Sequence, residues 1–170
     1  MAVAQRIEAI SNPHIGKKLK TCAYCRVSTN SADQLNSYSA QVKHYTKAIQ
    51  SRTDWDFVDI FADEGITGTS TKKRDDFNRM IRKCKKGKIN LILTKSISRF
   101  ARNTLDTIKY TRMLRAMGIG IYFEKENINT LDMDSEMLIT MLGAFAQAES
   151  ESISRNVAWG KRQAIREGKV

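Results

Sequence analysis

"INLILT", residues 89–94, reads more clearly as a β-strand than any other stretch of the chain, and the reading of its surroundings follows from it. "KSISRFARN" (95–103) interrupts it with charge and hydroxyls. "TLDTIKYTRMLRAMG" (104–118) follows with helical spacing, and "IGIYFE" (119–124) returns to strand character. The same alternation runs upstream. Residues 19–27 read as a strand, and 31–50 as a helix with Leu35, Tyr38, Val42, Tyr45 and Ile49 at helical intervals. "WDFVDIFA" (55–62) is a further strand, and its mostly apolar character suits a sheet covered on both faces. "DEGITGTSTKKR" (63–74) is a Gly/Thr-rich loop, and "DDFNRMIRKCKKG" (75–87) a helix stopped by Gly87. Strands alternating with helices imply an α/β fold, a mainly parallel sheet of four or five strands with right-handed crossovers. Such sheets place their sites beyond the carboxyl ends of the strands, where Ser28, Asp63, Lys95 and Glu124 fall.

The carboxyl-terminal stretch differs. From Ser135 to Glu167 there is no proline and only two glycines, Gly143 and Gly160. Leu138, Met141, Leu142, Phe145, Ala148, Ser152 and Ile153 trace much of one stripe. One helix of this length spans roughly 45–50 Å, more than a domain this small easily covers. Its first half is expected to pack on the body or on a partner, and its basic second half, "RNVAWGKRQAIREGKV", to project toward DNA. Two shorter helices broken at either glycine are the alternative. The expected organisation is a tail over 1–18 (with a short turn near "RIEAI"), a core over 19–134 and the long helix over 135–168.

With 170 residues, 41% of them apolar, the chain can build a real core, and general disorder is excluded. No run is long enough to cross a membrane, and residues 1–17 lack the continuous apolar core of a secretory signal. A cytoplasmic, nucleoid-associated protein is the simplest expectation. Twenty-nine Lys and Arg against 18 Asp and Glu give a net charge of +11, which fits a polyanionic partner and also fits simple solubility. Between Lys72 and Lys88 there are nine basic residues and two acids, which suits a solvated face or contacts to a DNA backbone. "CAYC" (22–25) has half the spacing of a zinc site. No second pair completes it, and within a strand Cys22 and Cys25 point to opposite faces, so these thiols read as buried and unpaired. "GITGTS" (65–70) lacks the GK[ST] of a nucleotide-binding loop.

The candidate chemistry lies in the arginines. Arg26 and Ser28 are two apart and share a face if the strand continues through them. Arg99 and Arg102 are three apart, on one side of a helical turn. Lys95 precedes them, and Arg74 ends the loop after the second strand. Guanidinium forks bind phosphate oxygens in pairs and stabilise charge that grows during phosphoryl transfer. Dense positive charge also favours deprotonation of a serine hydroxyl and its attack on phosphorus. Neither His14 nor His44 completes a Ser-His-acid triad.

"YCRVST", "ADEGITGTSTKKRDDF", "LTKSISRFARN" and "FAQAESESISRN" together resemble the catalytic domain of the serine recombinases, the resolvase and invertase family. The likeness covers roughly 20–168, and is to the amino-terminal part of a large serine recombinase or transposon integrase in particular. The resemblance implies Ser28 as the nucleophile forming a 5′-phosphoserine link to cut DNA. It also implies Arg26, Arg99 and Arg102 as the principal active-site arginines. Arg74 would be the arginine after the mobile loop, and Gln41 a residue that positions phosphate or arginines. Lys95 and Asp63 are supporting candidates. Glu149, Arg155, Lys161 and Arg162 are DNA or interface candidates on the long helix. No cofactor and no metal are implied. The implied partners are double-stranded DNA and further copies of the chain: a homodimer and a synaptic homotetramer for the full-length protein, a monomer or dimer for a catalytic fragment lacking its carboxyl-terminal DNA-recognition region. The sequence departs from the family pattern at Ser98, where small resolvases carry an acid, and at Ser150, where many carry arginine. Two other classes stay open on the residues alone. One is a metal-dependent nuclease or topoisomerase-like domain using Glu124, Glu126, Asp132 and Asp134. The other is a non-enzymatic DNA-binding or assembly domain.

Overall fold

The computed structural model describes residues 10, 14, 16–28, 31–65, 74–101 and 103–168; for 28, 31–35, 65, 135–136, 146 and 149 the description is of the backbone only. Five strands, β1 (Leu19–Ser28), β2 (Trp55–Gly65), β3 (Leu91–Thr94), β4 (Gly120–Phe123) and β5 (Ile128–Asn129), form one sheet in the order β2-β1-β3-β4-β5. The first four are parallel and β5 is antiparallel to β4. The helices are α1 (Ser31–Gln50), α2 (Asp75–Lys85), the single turn α3 (Ile97–Phe100), α4 (Thr104–Ala116) and α5 (Ser135–Arg166). The mainly parallel α/β sheet expected from the sequence is therefore the one observed. The two-residue β5 was not expected within "KENINTLDMD", and β2 runs three residues past "WDFVDIFA".

Both faces of the sheet are covered, which explains why its central strands are apolar throughout. Leu91–Thr94 and Gly120–Phe123 are buried at every position. Tyr45 and Ile49 of α1 pack with Ala23, Cys25, Leu91, Leu93 and Tyr122 on one face. Phe77, Met80 and Cys84 of α2 join Leu114 of α4 and Leu138 and Leu142 of α5 on the other, against Cys22, Tyr24, Ile92 and Ile121. Alternation along β1 thus sends Cys22 and Cys25 to opposite layers. Ile10 is buried with the α1 layer, and its carbonyl accepts a hydrogen bond from Arg52 (2.8 Å), so the expected tail is docked at this point. The "RIEAI" turn otherwise lies outside the described residues, as does the loop over 66–73. Of the apolar residues near the end of α4, Leu114 is fully buried and Met113 half-buried, whereas Met117 is exposed.

Strand order reverses between β1 and β3. The chain leaves β1 through α1 toward β2, then crosses back through α2 to β3 and onward through α4. Helices diverge to opposite faces at that point and leave a crevice at the carboxyl ends of β1 and β3.

α5 is continuous through Gly143 and Gly160, so the two-helix alternative does not hold. A helical glycine costs only about 1 kcal/mol relative to alanine, less than breaking a 32-residue hydrogen-bonded rod. Leu138 and Leu142 anchor the rod, but Met137, Phe145, Ile153, Val157, Trp159 and Ile165 are exposed. Only the first two turns therefore belong to the core. No described helix is long and apolar enough to cross a membrane. Leu142→Ala is expected to cost about 2–5 kcal/mol in a denaturant titration, because a fully buried side chain is lost. Trp159→Ala, at a position 67% exposed, is expected to change stability by no more than about 0.5 kcal/mol.

Candidate active site

The crevice at the switch point is a small cleft of about 120 Å³ lined by Tyr24, Cys25 and Arg26 from β1, Ser37 and Gln41 from α1, and Lys95 and Arg99 after β3. Three of these residues are cationic and none is acidic. Arg26 reaches it because it stands near the carboxyl end of β1, opposite Asp63 of β2. Its guanidinium donates to the carbonyl of Ser98 (3.3 Å), the residue where the family pattern has an acid. Burial pulls the Arg26 pKa below its ordinary value, and the charges of Arg74 and Arg99 add to this against the opposing effects of Tyr24 and Asp63. Arginine stays protonated at neutral pH regardless, so these groups are converged cations with unspent capacity for an anion. Lys95 and Arg99 are exposed, and neither has an ion-pair partner among the described residues. Gln41 donates to Ser37 Oγ (3.2 Å), which orients its amide within the cleft.

Behind the cleft a second group of residues acts as a frame. Tyr24 OH donates to Asp63 Oδ2 (2.9 Å) and accepts from Arg74 Nη2 (2.9 Å). The same Arg74 nitrogen donates to the carbonyl of Phe100, and its guanidinium lies 3.8 Å from the Phe77 ring centroid. Asp63 also accepts from the amides of Asp76 (3.1 Å) and Phe77 (2.9 Å), so it caps the first turn of α2. Both residues are thereby committed: Arg74 joins β1, α2 and α3, and the Asp63 carboxylate is engaged by three donors. An Asp63 carboxylate acting as the proton-handling acid missing at Ser98 would have to break that frame. The α3 turn is fixed at its start by Glu126, which accepts from the Ile97 amide (3.3 Å).

Sequence reasoning passed over Tyr24 as a functional residue. The available signal was its position two residues before Arg26, on the same strand face. His44 is exposed on α1, its side chain 44% accessible, and Nε2 lies 3.4 Å from Oε1 of the buried Glu124, whose Oε2 accepts from Tyr45 OH (3.3 Å). Glu124 and Glu126, offered as possible metal ligands, are thus both engaged in bonds that hold the fold together. No group of three metal-ligating side chains converges among the described residues. Ser28 ends β1 opposite Gly65, two residues beyond Arg26, and its side chain is outside the description. Arg102 lies outside the described residues. Arg155, Lys161 and Arg162 are exposed on the projecting part of α5, and for Glu149 only the helical backbone is described.

The other candidate nucleophiles near the cleft are held neutral. Burial, reinforced by Glu124, pushes the Cys25 thiol up to about 12. Burial pushes Tyr24 up against the opposing effect of Arg74. Burial also raises Cys22 well above the ordinary range and Cys84 to about 12. The unfolded chain releases thiol protons above about pH 8.5 while the native chain keeps them, so stability is expected to fall as pH rises from there toward 12. At pH 8.5, iodoacetamide is expected to modify none of the three thiols in the native protein and all three in urea. Rapid labelling of any native thiol would contradict the burial.

These features define a class: an α/β domain with an anion-receiving cleft at its topological switch point. The family described as "Resolvase, N terminal domain" matches residues 21–170. The R46 site-specific recombinase of Escherichia coli is 29% identical over 150 residues, covering 88% of this chain and 72% of that protein. The Transposon Tn3 resolvase of Escherichia coli is 31% identical over 109 residues, covering 64% of this chain and 57% of that protein. The crystal structure of a resolvase family site-specific recombinase from Streptococcus pneumoniae superposes with a TM-score of 0.60 at 31% identity, over 88% of this chain and 99% of that one. The chain belongs to the resolvase family of serine recombinases, in the amino-terminal catalytic domain.

Proposed function

We propose that the protein cuts and rejoins duplex DNA in site-specific recombination, with Ser28 as nucleophile. The Ser28 hydroxyl oxygen attacks a backbone phosphorus, the bond from phosphorus to the 3′ oxygen breaks, and the 3′ hydroxyl leaves with a proton. The 5′ end stays on Ser28 as a phosphoserine diester. Attack by a 3′ hydroxyl from the exchanged strand reverses the step, so bond energy is conserved and no nucleotide cofactor is consumed. Arg26 and Arg99, with Arg102, neutralise the oxygens that gain charge as phosphorus becomes five-coordinate. Gln41 and Lys95 orient the phosphate, and Arg74 and Asp63 hold the frame that aims the arginines.

The observation that carries this reading is the cleft lined by Arg26, Lys95 and Arg99 with no acid, beside the end of the strand that terminates in Ser28. Arg26 is half-buried, and a lower local dielectric strengthens its attraction for phosphate; Lys95 and Arg99 are exposed and add charge from the rim. The long helix supplies the rest of the assembly: exposed Met137, Phe145 and Ile153 face a second copy. Arg155, Lys161 and Arg162 lie along the DNA backbone, with Glu149 at the contact between subunits. Dimers of this kind pair on two duplexes as tetramers for strand exchange.

A suicide duplex, nicked so that the cut end diffuses away, tests the chemistry. Peptide mapping of the trapped adduct is expected to find the 5′ phosphate on Ser28, in the presence of excess chelator as in its absence. A phosphate on any other side chain, or strand scission that depends on added divalent cation, would overturn the assignment.

A further inference from the structure

Outside the cleft, a cluster of exposed cations among the described residues lies at the opposite end of the sheet. α2 runs back from the cleft end and stops at Lys85, and Gly87, with φ of 69°, turns the chain into β3. Lys20, at the start of β1, donates from Nζ to the Gly87 carbonyl (3.1 Å). This contact sets Lys20, with Lys18 two residues before it, against the turn that carries Lys86 and Lys88 and follows Arg82 and Lys85, all of them exposed. Acids nearby are few and already engaged: Asp56 lies 3.6 Å from Lys18, and Asp59 bonds Arg79 and Lys83. Arg82, Lys85, Lys86 and Lys88 have no ion-pair partner among the described residues.

Ordinary structural duties do not account for this crowding. The helix dipole favours cations in the last turn of α2, which covers Arg82 and Lys85 but not Lys86 and Lys88 beyond its end. Lysines that protect sheet edges belong on edge strands, yet β1 is interior, between β2 and β3. Clustered like charges from two chain segments repel in the free protein and are relieved by a polyanion.

We infer that this surface is a second DNA-backbone site, separate from the cleft. Lys20 and Arg26 are six residues apart on β1, about 20 Å at 3.3 Å per residue. They stand at opposite ends of the sheet, so the patch is a surface distinct from the cleft. The DNA assigned to it lies outside the phosphate being cut: flanking DNA, or another duplex. Charges on flexible stems without an acceptor pattern imply contact to phosphates with no base readout.

The test uses the protein itself and an unrelated 30-bp duplex of arbitrary sequence, and it does not depend on cleavage. Replacing three phosphate-contacting lysines in K85Q/K86Q/K88Q is expected to lower the slope of log Kobs against log[salt] by about 2.7. R26Q/R99Q is expected to lower it by its own, additive amount. In a second measurement, Lys86→Cys carries a thiol-directed photo-cross-linker; the three native cysteines are buried and do not compete. Cross-linking to the duplex, suppressed by excess unlabelled duplex, is the expected result. Unchanged slope in the triple variant, or no cross-link under conditions where the duplex is bound, overturns the inference. Loss of binding to poly-glutamate with unchanged binding to duplex would also overturn it, in favour of an acidic protein partner. Because no readout depends on cleavage, failure here leaves the Ser28 chemistry untouched, and failure to trap a Ser28 adduct leaves this surface untouched.

Discussion

Ser28→Ala is expected to bind duplex DNA as the parent does and to form no covalent protein–DNA product. The hydroxyl contributes little to a binding energy dominated by cations, so affinity and its salt dependence should stay within error. Among the described residues, neither Cys25 nor Tyr24 is ionised to take its place. Cys25 lines the same cleft, but burial and Glu124 hold its thiol protonated, with a pKa near 12. Tyr24 is likewise held neutral by burial, and its hydroxyl is already shared between Asp63 and Arg74. Arg99→Ala offers the complementary case. The serine is retained but one stabilising cation is lost, and a fall of about 10²–10³ in the rate of adduct formation is expected. Denaturing gels of the suicide duplex measure both effects. Covalent product from Ser28→Ala at anything near the parent's rate would exclude the serine mechanism.

The largest expected effect on stability is at Phe100. Its ring is fully buried, with centroids 5.3 Å from Phe77, 5.8 Å from Phe123 and 6.4 Å from Tyr24, all edge-on. Its carbonyl accepts from Arg74. Phe100→Ala is therefore expected to cost about 3–5 kcal/mol, seen as a lower urea midpoint at unchanged slope. Phe100 also ends the turn that carries Arg99, so adduct formation should fall even where the variant remains folded. Leu105→Ala, five residues on in α4 at a position 77% exposed, serves as the control and should shift stability by no more than about 0.5 kcal/mol. A Phe100→Ala protein as stable as that control would mean the aromatic cluster is not a packed unit.

Much of this architecture was legible because its elements are long or strongly patterned. "INLILT" announced a strand, and the alternation around it gave a parallel sheet. From there, the rule that sites lie beyond strand ends pointed to Ser28, Asp63, Lys95 and Glu124, whereas Arg26 and Arg99 were singled out by their spacing and by the family resemblance. The features missed were those that depend on distant partners. β5 has two residues and exists only by pairing with β4. The helical turn expected at Arg99 is observed as Ile97–Phe100, its start fixed by a glutamate 29 residues away, which local sequence could not show. The part played by Asp63 was hidden for the same reason. A carboxylate at a strand end reads as a candidate acid, and only the return of α2 to that end reveals it as a cap. The continuity of α5 was underdetermined: two glycines in 32 residues carry a small penalty whose consequence depends on everything else in the rod.

The rod also imposes a constraint of phase. Leu138 and Leu142 clamp one end of α5, so the direction in which Trp159 faces is set by counting residues outward from that clamp. Removing a single residue between them swings everything distal by about 100° while shortening the arm by only 1.5 Å, whereas removing seven restores the bearing to within about 20° and draws the arm in by about 10 Å. Length changes in this stretch should thus be tolerated in whole-heptad steps and penalised between them, a periodicity that no substitution at a single position would disclose.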